Sequence, residues 1–260
     1  TTHLGVGAHQ DDLEVMALHG ILACYKQPQK WFGGVTVTNG AGSSRTNEYA
    51  DYTDEQMQSV RAEEQRKAAV VGEFGFVAQL GYPSSTVKQP GNSDFAVDLR
   101  MILAATKPEV VYTHNLADKH DTHVAVVVPL IRALREMPAA ERPVEVYGVE
   151  VWRDLNWLLD DEKVLLDMAN RPNLVRALIS IFDSQISGGK RYDLALEGRL
   201  RSNATFFDSH AVDDMTLASY AMDLKPLVDE PSLDIVKYVD GYVERFREDV
   251  RSRVSRFTGD

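Results

Sequence analysis

His3-Leu4-Gly5-Val6-Gly7-Ala8-His9-Gln10-Asp11-Asp12 stands at the head of the chain, and its reading decides the architecture. Residues 4–8 are small or apolar, and 3–8 read as a short buried strand. A helix is predicted over about 11–25, with Asp11 and Asp12 in its first turn, where carboxylates meet the positive end of the helix dipole. The alternation continues downstream. Residues 35–38 are a second strand, ended by the Asn39-Gly40 turn signal, and residues 40–53 form a polar loop. A helix follows at about 54–72, then a strand at 77–82 closed by Pro83, and a helix near 94–106. A strand at 109–114, a helix at 121–137 that Pro129 could kink and a strand at 144–152 complete the series. Strands alternating with helices specify an α/β fold: a Rossmann-like three-layer sandwich with a mostly parallel sheet of order 3-2-1-4-5. After about residue 155 the pattern becomes helix after helix. The chain is therefore read as one domain over 1–260, with an α/β core (1–155) and a mainly helical extension (156–260).

The last predicted helix, near 232–250, carries Val236, Val239, Val243, Phe246 and Val250 at alternating spacings of three and four. Such a stripe docks on the body or, as the sharper alternative, on another subunit of a homo-oligomer.

The bulk composition narrows the partners. The 260 residues are 44% hydrophobic and 26% charged, with a net charge of -11. That charge excludes nucleic acid, whose phosphates need a basic face. Cys24 is the only cysteine, so no intrachain disulfide forms, which fits a reducing, cytoplasmic location. No stretch reaches the roughly 20 apolar residues of a membrane span.

Chemistry gathers in two segments. The first is Gly7 to Asp12, where strand one hands over to helix one. The second is His114-Asn115-Leu116-Ala117-Asp118-Lys119-His120-Asp121-Thr122-His123, at the end of strand four. Ligands bind at the carboxyl edge of an open α/β sheet, and the order 3-2-1-4-5 makes strands one and four neighbours there. His120 and His123 stand three apart at a helix start, so both rings can point to one side. Asp11 and Asp12 are consecutive, so one carboxylate can bind a metal while the other stays free. Two imidazoles and one carboxylate with open positions are the donor set of catalytic zinc. The free carboxylate is then a natural general base. Read singly, the acids are helix caps and the histidines core or surface residues. Read together, three histidines and two acids at adjoining strand ends favour a metal site. His3, His19 and His210 are read as structural, and His114 as support for its loop. Trp152, Arg153 and Asp154 could line the crevice.

The two segments resemble the PIG-L/LmbE-like family of zinc-dependent N-acetylglucosaminyl deacetylases. The family's Ala-His-Pro-Asp-Asp-x-Glu stands here as Ala8 to Glu14, and its His-Asn-Pro-x-Asp-x-His-x-Asp-His as His114 to His123. Arg61 and Glu64 match an Arg-x-x-Glu helix, Gly81-Tyr82-Pro83 a strand end, and Ser184-Gln185 is a faint later echo. The resemblance covers roughly residues 3–125. It implies that His9, Asp12 and His123 bind Zn2+, or another divalent ion such as iron, manganese or cobalt. It implies that Asp11 is the general base, that His120 sits beside the nascent oxyanion and that Arg61 reaches the substrate. That substrate would be a small N-acetylated molecule of the N-acetylglucosamine type.

Two departures stand out. Gln10 replaces the family proline, costing turn rigidity but no chemistry. Thr122 replaces the aspartate that orients the second-motif histidine, so Asp118 or Asp121 has to compensate, and the oxyanion role of His120 is weakened. Three other readings compete. Gly5-Val6-Gly7 after a strand suggests a dinucleotide site, but Gln10 stands where the third glycine belongs. A metal-dependent phosphoesterase needs ligands for two ions. A metal-binding relative with little or no deacetylase activity would account for Thr122.

Overall fold

The computed structural model describes residues 1–91, 94–208, 210 and 212–258. Its strands are β1 (His3–Gly7), β2 (Phe32–Thr38), β3 (Phe76–Tyr82), β4 (Val110–His114), β5 (Glu145–Val149), β6 (Val164–Asp167) and β7 (Ala218–Asp223). They form one sheet of order β3-β2-β1-β4-β5-β7-β6. The first five run parallel in the expected order 3-2-1-4-5. β1 and β4 lie side by side in register from His3 opposite Val110 to Val6 opposite Thr113. The two chemistry-bearing segments therefore leave neighbouring strands at the same edge.

Helices cover both faces. They are α1 (Asp12–Met16), α2 (Leu18–Cys24), α3 (Asp54–Val71), α4 (Ser84–Val87), α5 (Asp94–Thr106) and α6 (Asp121–Glu136). In the extension follow α7 (Pro172–Ile179), α8 (Asp183–Ile186), α9 (Tyr192–Phe206), α10 (Lys225–Asp229) and α11 (Ile235–Thr258). Leu4 and Val6 of β1 point into one core with Phe95 of α5 and Val127 of α6. The opposite core holds Leu13, Ile21, Tyr112 and Leu178. Three layers result, as expected. α3 begins with a capping box in which Thr53 and Gln56 each bond the other's backbone N–H. α6 passes unbroken through Pro129. Among the described residues, no helix is long and apolar enough to cross a membrane.

Three expectations need correction. The predicted helix over 11–25 is two short helices that meet at Ala17. The residues after 155 are not helix upon helix, because β6 and β7 extend the sheet. β7 pairs antiparallel with β5, and β6 antiparallel with β7. Ala-Ser-Tyr-Ala-Met-Asp has no clear period of its own, so tertiary context makes it a strand. It covers the open edge that β5 would otherwise present. The buried Glu150 ties the joint. Its carboxylate accepts from the Leu155, Tyr220 and Ser219 donors at 3.0, 3.2 and 3.3 Å and from the Asn203 amide. Finally, the last helix runs on to Thr258 and docks through its first three turns, with Arg245 bonded to Glu162 and the Phe246 ring 6.2 Å from Trp157.

The pair Gly5 and Gly7 has a packing explanation. A Cβ on Gly5 would lie 2.9 Å from Ala17 Cβ, and one on Gly7 would lie 2.9 Å from Asp12 Cβ. Both glycines let the first helix lie close on β1, and Gly7 leaves room for Asp12 specifically.

Candidate metal centre

The turn after β1 separates its two aspartates. Asp11 takes a left-handed backbone conformation, φ 95° and ψ -27°, which acids tolerate better than most residues. Asp12 begins α1 and points inward. Its Oδ2 accepts the His9 N–H at 2.6 Å and lies 3.3 Å from His9 Nδ1 and 3.3 Å from His114 Nε2. Its Oδ1 lies 3.4 Å from His123 Nε2. Burial opposes its charge, but His123 and His114 outweigh that and hold the carboxyl well below the usual range.

Of the three residues expected to bind metal, His9 and His123 each approach Asp12, but among the described residues no set of mutually close ligand atoms contains all three. Two sets of mutually close ligand atoms overlap here: His9 with His120 and His123, and Asp12 with His114 and His123. His123 belongs to both. Its Nδ1 is 3.2 Å from Asp118 Oδ2, which fixes the proton on Nδ1 and turns the lone pair of Nε2 toward Asp12. That Nε2 is buried and without a hydrogen-bond partner. It faces Asp12 Oδ1 across 3.4 Å, and although burial lowers the ring, Asp12 and Asp118 outweigh it and hold His123 above its ordinary value, so this spot favours positive charge and the residues present fit a divalent ion.

His114 does more than brace its loop. It does brace a loop, because its Nε2 accepts the Ala8 N–H at 3.0 Å. It also sits as near Asp12 as His9 does and stacks on His123 with ring centroids 3.7 Å apart. Its place at the inner end of β4, next to β1, was the available signal.

Asp118 supplies the carboxylate that Thr122 lacks, but to His123. It also accepts the His120 N–H at 3.0 Å and the Trp152 N–H at 3.2 Å. The His120 ring receives no such partner, and its buried Nδ1 is unbonded. Burial, with the charges of His123 and His9, pushes His120 down to about 4, so this ring is neutral near pH 7.

Asp11 faces the other way, into a cavity of about 430 Å³ that His9, Asp12, His120 and Thr122 also line. Burial pushes its carboxyl up to about 7 against the pull of Arg61. Arg61 is 2% exposed, so it is no solvated helix arginine. Its Nη2 donates to the Gln10 carbonyl and lies 3.4 Å from Asp11 Oδ1. Glu64, one turn on, accepts the Ser184 N–H at 2.8 Å and hydroxyl at 2.6 Å. The Arg-x-x-Glu helix and the Ser184-Gln185 echo are therefore two halves of one contact, and Gln185 lines the cavity. Gln10 recovers rigidity through its side chain, whose Nε2 donates to the Thr38 carbonyl at 3.0 Å and to Gln79 Oε1 at 3.3 Å.

Of Trp152, Arg153 and Asp154, only Trp152 lines the cavity. Its ring stands 6.1 Å from His120 and 6.1 Å from Tyr192, and Lys190 Nζ lies 5.1 Å from its centre. His19 bonds the Tyr112 hydroxyl at 2.8 Å and His3 stacks on the same ring, while Cys24 is a buried free thiol.

Known proteins share this fold. The N,N'-diacetylchitobiose deacetylase of Pyrococcus horikoshii superposes with a TM-score of 0.66 at 14% identity, over 85% of this chain and 83% of that one. GalB, the 4-carboxy-2-hydroxymuconate hydratase of Pseudomonas putida KT2440, gives 0.63 at 18%, over 86% and 96%. The zinc-inhibited form of the teicoplanin deacetylase Orf2 gives 0.60 at 13%, over 86% and 97%. At these identities the likeness is one of fold. No curated protein matches the sequence. The PIG-L family profile, described as GlcNAc-PI de-N-acetylase, matches residues 4–134, which is half of the chain and includes both motifs, and the chain belongs to that family.

Proposed function

We propose that this chain is a metal-dependent hydrolase that removes the acetyl group from the nitrogen of an N-acetylglucosamine-type small molecule. The observation that carries the reading is the unpartnered Nε2 of His123 facing Asp12 beside the cavity floor, with Asp11 free to face the substrate. His9, Asp12 and His123 would hold the ion, and His114, stacked on His123 and bonded to Ala8, would hold the floor of the site in place. A divalent ion at such a site acidifies water and polarises a carbonyl. His123 belongs to both ligand sets and spends its Nδ1 on Asp118, so it has one nitrogen for one ion, which speaks against a two-metal phosphoesterase.

The chain's own groups supply the rest. Asp11 takes a proton from the attacking water as oxygen bonds to the amide carbon. It returns that proton to the departing nitrogen as the C–N bond breaks, so the products are acetate and an amine. A carboxyl near 7 suits both transfers at neutral pH. His120, neutral, would steady the forming oxyanion by donating from Nε2. The buried Arg61 guanidinium supports a role in holding Asp11 and its turn more than a long reach to a sugar hydroxyl. Trp152 and Tyr192 offer apolar faces to a ring.

One observation favours a second reading, a metal-binding relative with little activity: the His120 ring has no carboxylate behind it. Metal content per chain and acetate release from N-acetylglucosamine derivatives, in the wild type and Asp11→Ala, separate the two. One ion in both proteins with acetate released only by the wild type is expected. Metal without acetate release on a broad N-acyl panel supports the second reading, and no metal overturns both. The ion should be varied across zinc, iron, manganese and cobalt, since zinc inhibits the Orf2 form named above.

A further inference from the structure

α11 is 24 residues long, yet Tyr242 is its only buried residue. Ile235, Tyr238 and Val239 pack on the core, and the Tyr238 hydroxyl donates to the Asp223 carbonyl at 2.7 Å. From residue 243 to 258 every residue is exposed except the half-buried Asp249. This stretch carries Val243, Phe246, Val250, Val254 and Phe257, between 38% and 87% exposed, of which Phe246 also meets Trp157 of the body edge-on. Their steps of three, four, four and three residues place them in one stripe along the helix. A lone helix of this length is marginal in water, and a stripe of large apolar side chains on it marks an interface.

We infer that a second copy of this chain covers the stripe, the two α11 helices running antiparallel about a two-fold axis at Val250. A two-fold contact requires that if residue i meets residue j of the other copy, j also meets i. The spacing satisfies this, because it reads the same in both directions from Val250. Val243 falls opposite Phe257 and Phe246 opposite Val254, so each phenylalanine meets a valine. The flanks agree in charge, with Glu244 opposite Arg256 and Asp249 opposite Arg251. Arg247 falls opposite Arg253, but each already has a carboxylate in its own helix, Glu244 at 2.5 Å and Asp249 at 2.8 Å. Residues 250–258 hold three arginines and no acid, whereas 240–249 hold Asp240, Glu244, Glu248 and Asp249. Antiparallel pairing sets the basic end against the acidic stretch. Parallel pairing crowds both basic ends together.

The paired stretch is about 22 Å long, which suits a weak dimer with a micromolar dissociation constant. Sedimentation equilibrium of the full chain, from about 1 to 100 µM, should show a monomer–dimer equilibrium. Val250→Glu puts two charges face to face on the axis and should weaken the dimer by at least about 100-fold, with the circular dichroism spectrum unchanged. Cys24 is buried, so cysteines introduced on the stripe report its pairing under oxidation. Val250→Cys should give a covalent dimer, and Phe257→Cys, facing Val243, should not. A chain monomeric throughout the range overturns the inference, including one that instead binds phosphatidylserine vesicles or an unrelated protein. A dimer indifferent to Val250→Glu overturns it too, and so does a Phe257→Cys disulfide that forms as readily as that of Val250→Cys.

Discussion

Asp118 is the place where the metal centre can be disturbed without touching a ligand. Its side chain is fully buried and accepts from His123 Nδ1 at 3.2 Å, His120 N at 3.0 Å and Trp152 N at 3.2 Å. Burial alone would raise its carboxyl, but the bond and charge of His123 outweigh this and hold it below the ordinary value. Hydrogen bonds to a charged acceptor contribute about 1.5–3 kcal/mol each and do not simply add, so Asp118→Ala should cost about 3–5 kcal/mol of stability. Asp118→Asn is the sharper change. With its amide oxygen at the Oδ1 position it keeps the His120 N–H, and with its NH2 at the Oδ2 position it loses the Trp152 N–H together with His123, so the stability loss should be near 2–3 kcal/mol. Its NH2 group, turned toward His123, can no longer accept from Nδ1. The ring proton then moves to Nε2, and the lone pair aimed at Asp12 is lost. Metal affinity should fall about 10–100-fold, as it does when a ligand histidine loses its orienting carboxylate. Competition against a chromophoric chelator measures the affinity, and urea unfolding measures the stability. Full metal affinity in Asp118→Asn would refute the argument, because either Asp118 does not set the tautomer or His123 is not a ligand.

Three further outcomes test other parts of the site. Burial pushes Glu14 up to about 8 from an ordinary 4.5, so the proton favours the fold. Stability from this group is full below about pH 4.5 and declines by up to about 1.4 kcal/mol per pH unit as pH rises toward 8. Urea unfolding between those limits should show that decline in the wild type and much less of it in Glu14→Gln, and equal slopes would remove Glu14 as its source. Gly7→Ala would force Asp12 aside, since the new methyl lies 2.9 Å from its Cβ. It should lower stability by about 1–3 kcal/mol and weaken metal binding with it, whereas unchanged metal titration would disprove the close packing. Thr122→Asp should leave metal content alone and raise turnover by up to about tenfold if it gives the His120 ring a carboxylate. Equal or lower turnover counts against a compromised relay.

The fold was legible where local pattern and global topology agree. The five parallel strands are short runs rich in apolar residues, and a helix follows each of the first four. Adjacency of β1 and β4 then followed from the strand order, which is why two segments more than 100 residues apart could be placed in one crevice. β6 and β7 were not legible for a complementary reason. Their partners are each other and the edge of β5, so the information lies in pairing across the sheet rather than in either segment. The same holds for the outer half of α11, whose stripe was visible although how little of it the body covers was not.

Within the site, residue types that do chemistry announce themselves, while residues that hold them do not. Nothing local says that Gln10 bonds Thr38 and Gln79, or that Glu64 grips Ser184 from 120 residues away. Gln10 shows how a motif can change without losing its geometry. A proline stiffens this turn through its ring alone, a local constraint. Glutamine replaces it with two bonds to β2 and β3, so the turn that presents Asp11 and Asp12 is stiff only when those strands are in place. Cutting these bonds with Gln10→Ala should therefore loosen the turn while leaving the sheet paired. Hydrogen exchange of the Asp11 and Asp12 amides should quicken, with the β1 and β4 amides as protected as before, and metal affinity should drop. Quickening across β1 as well would mean that Gln10 supports the sheet itself rather than the presentation of its aspartates.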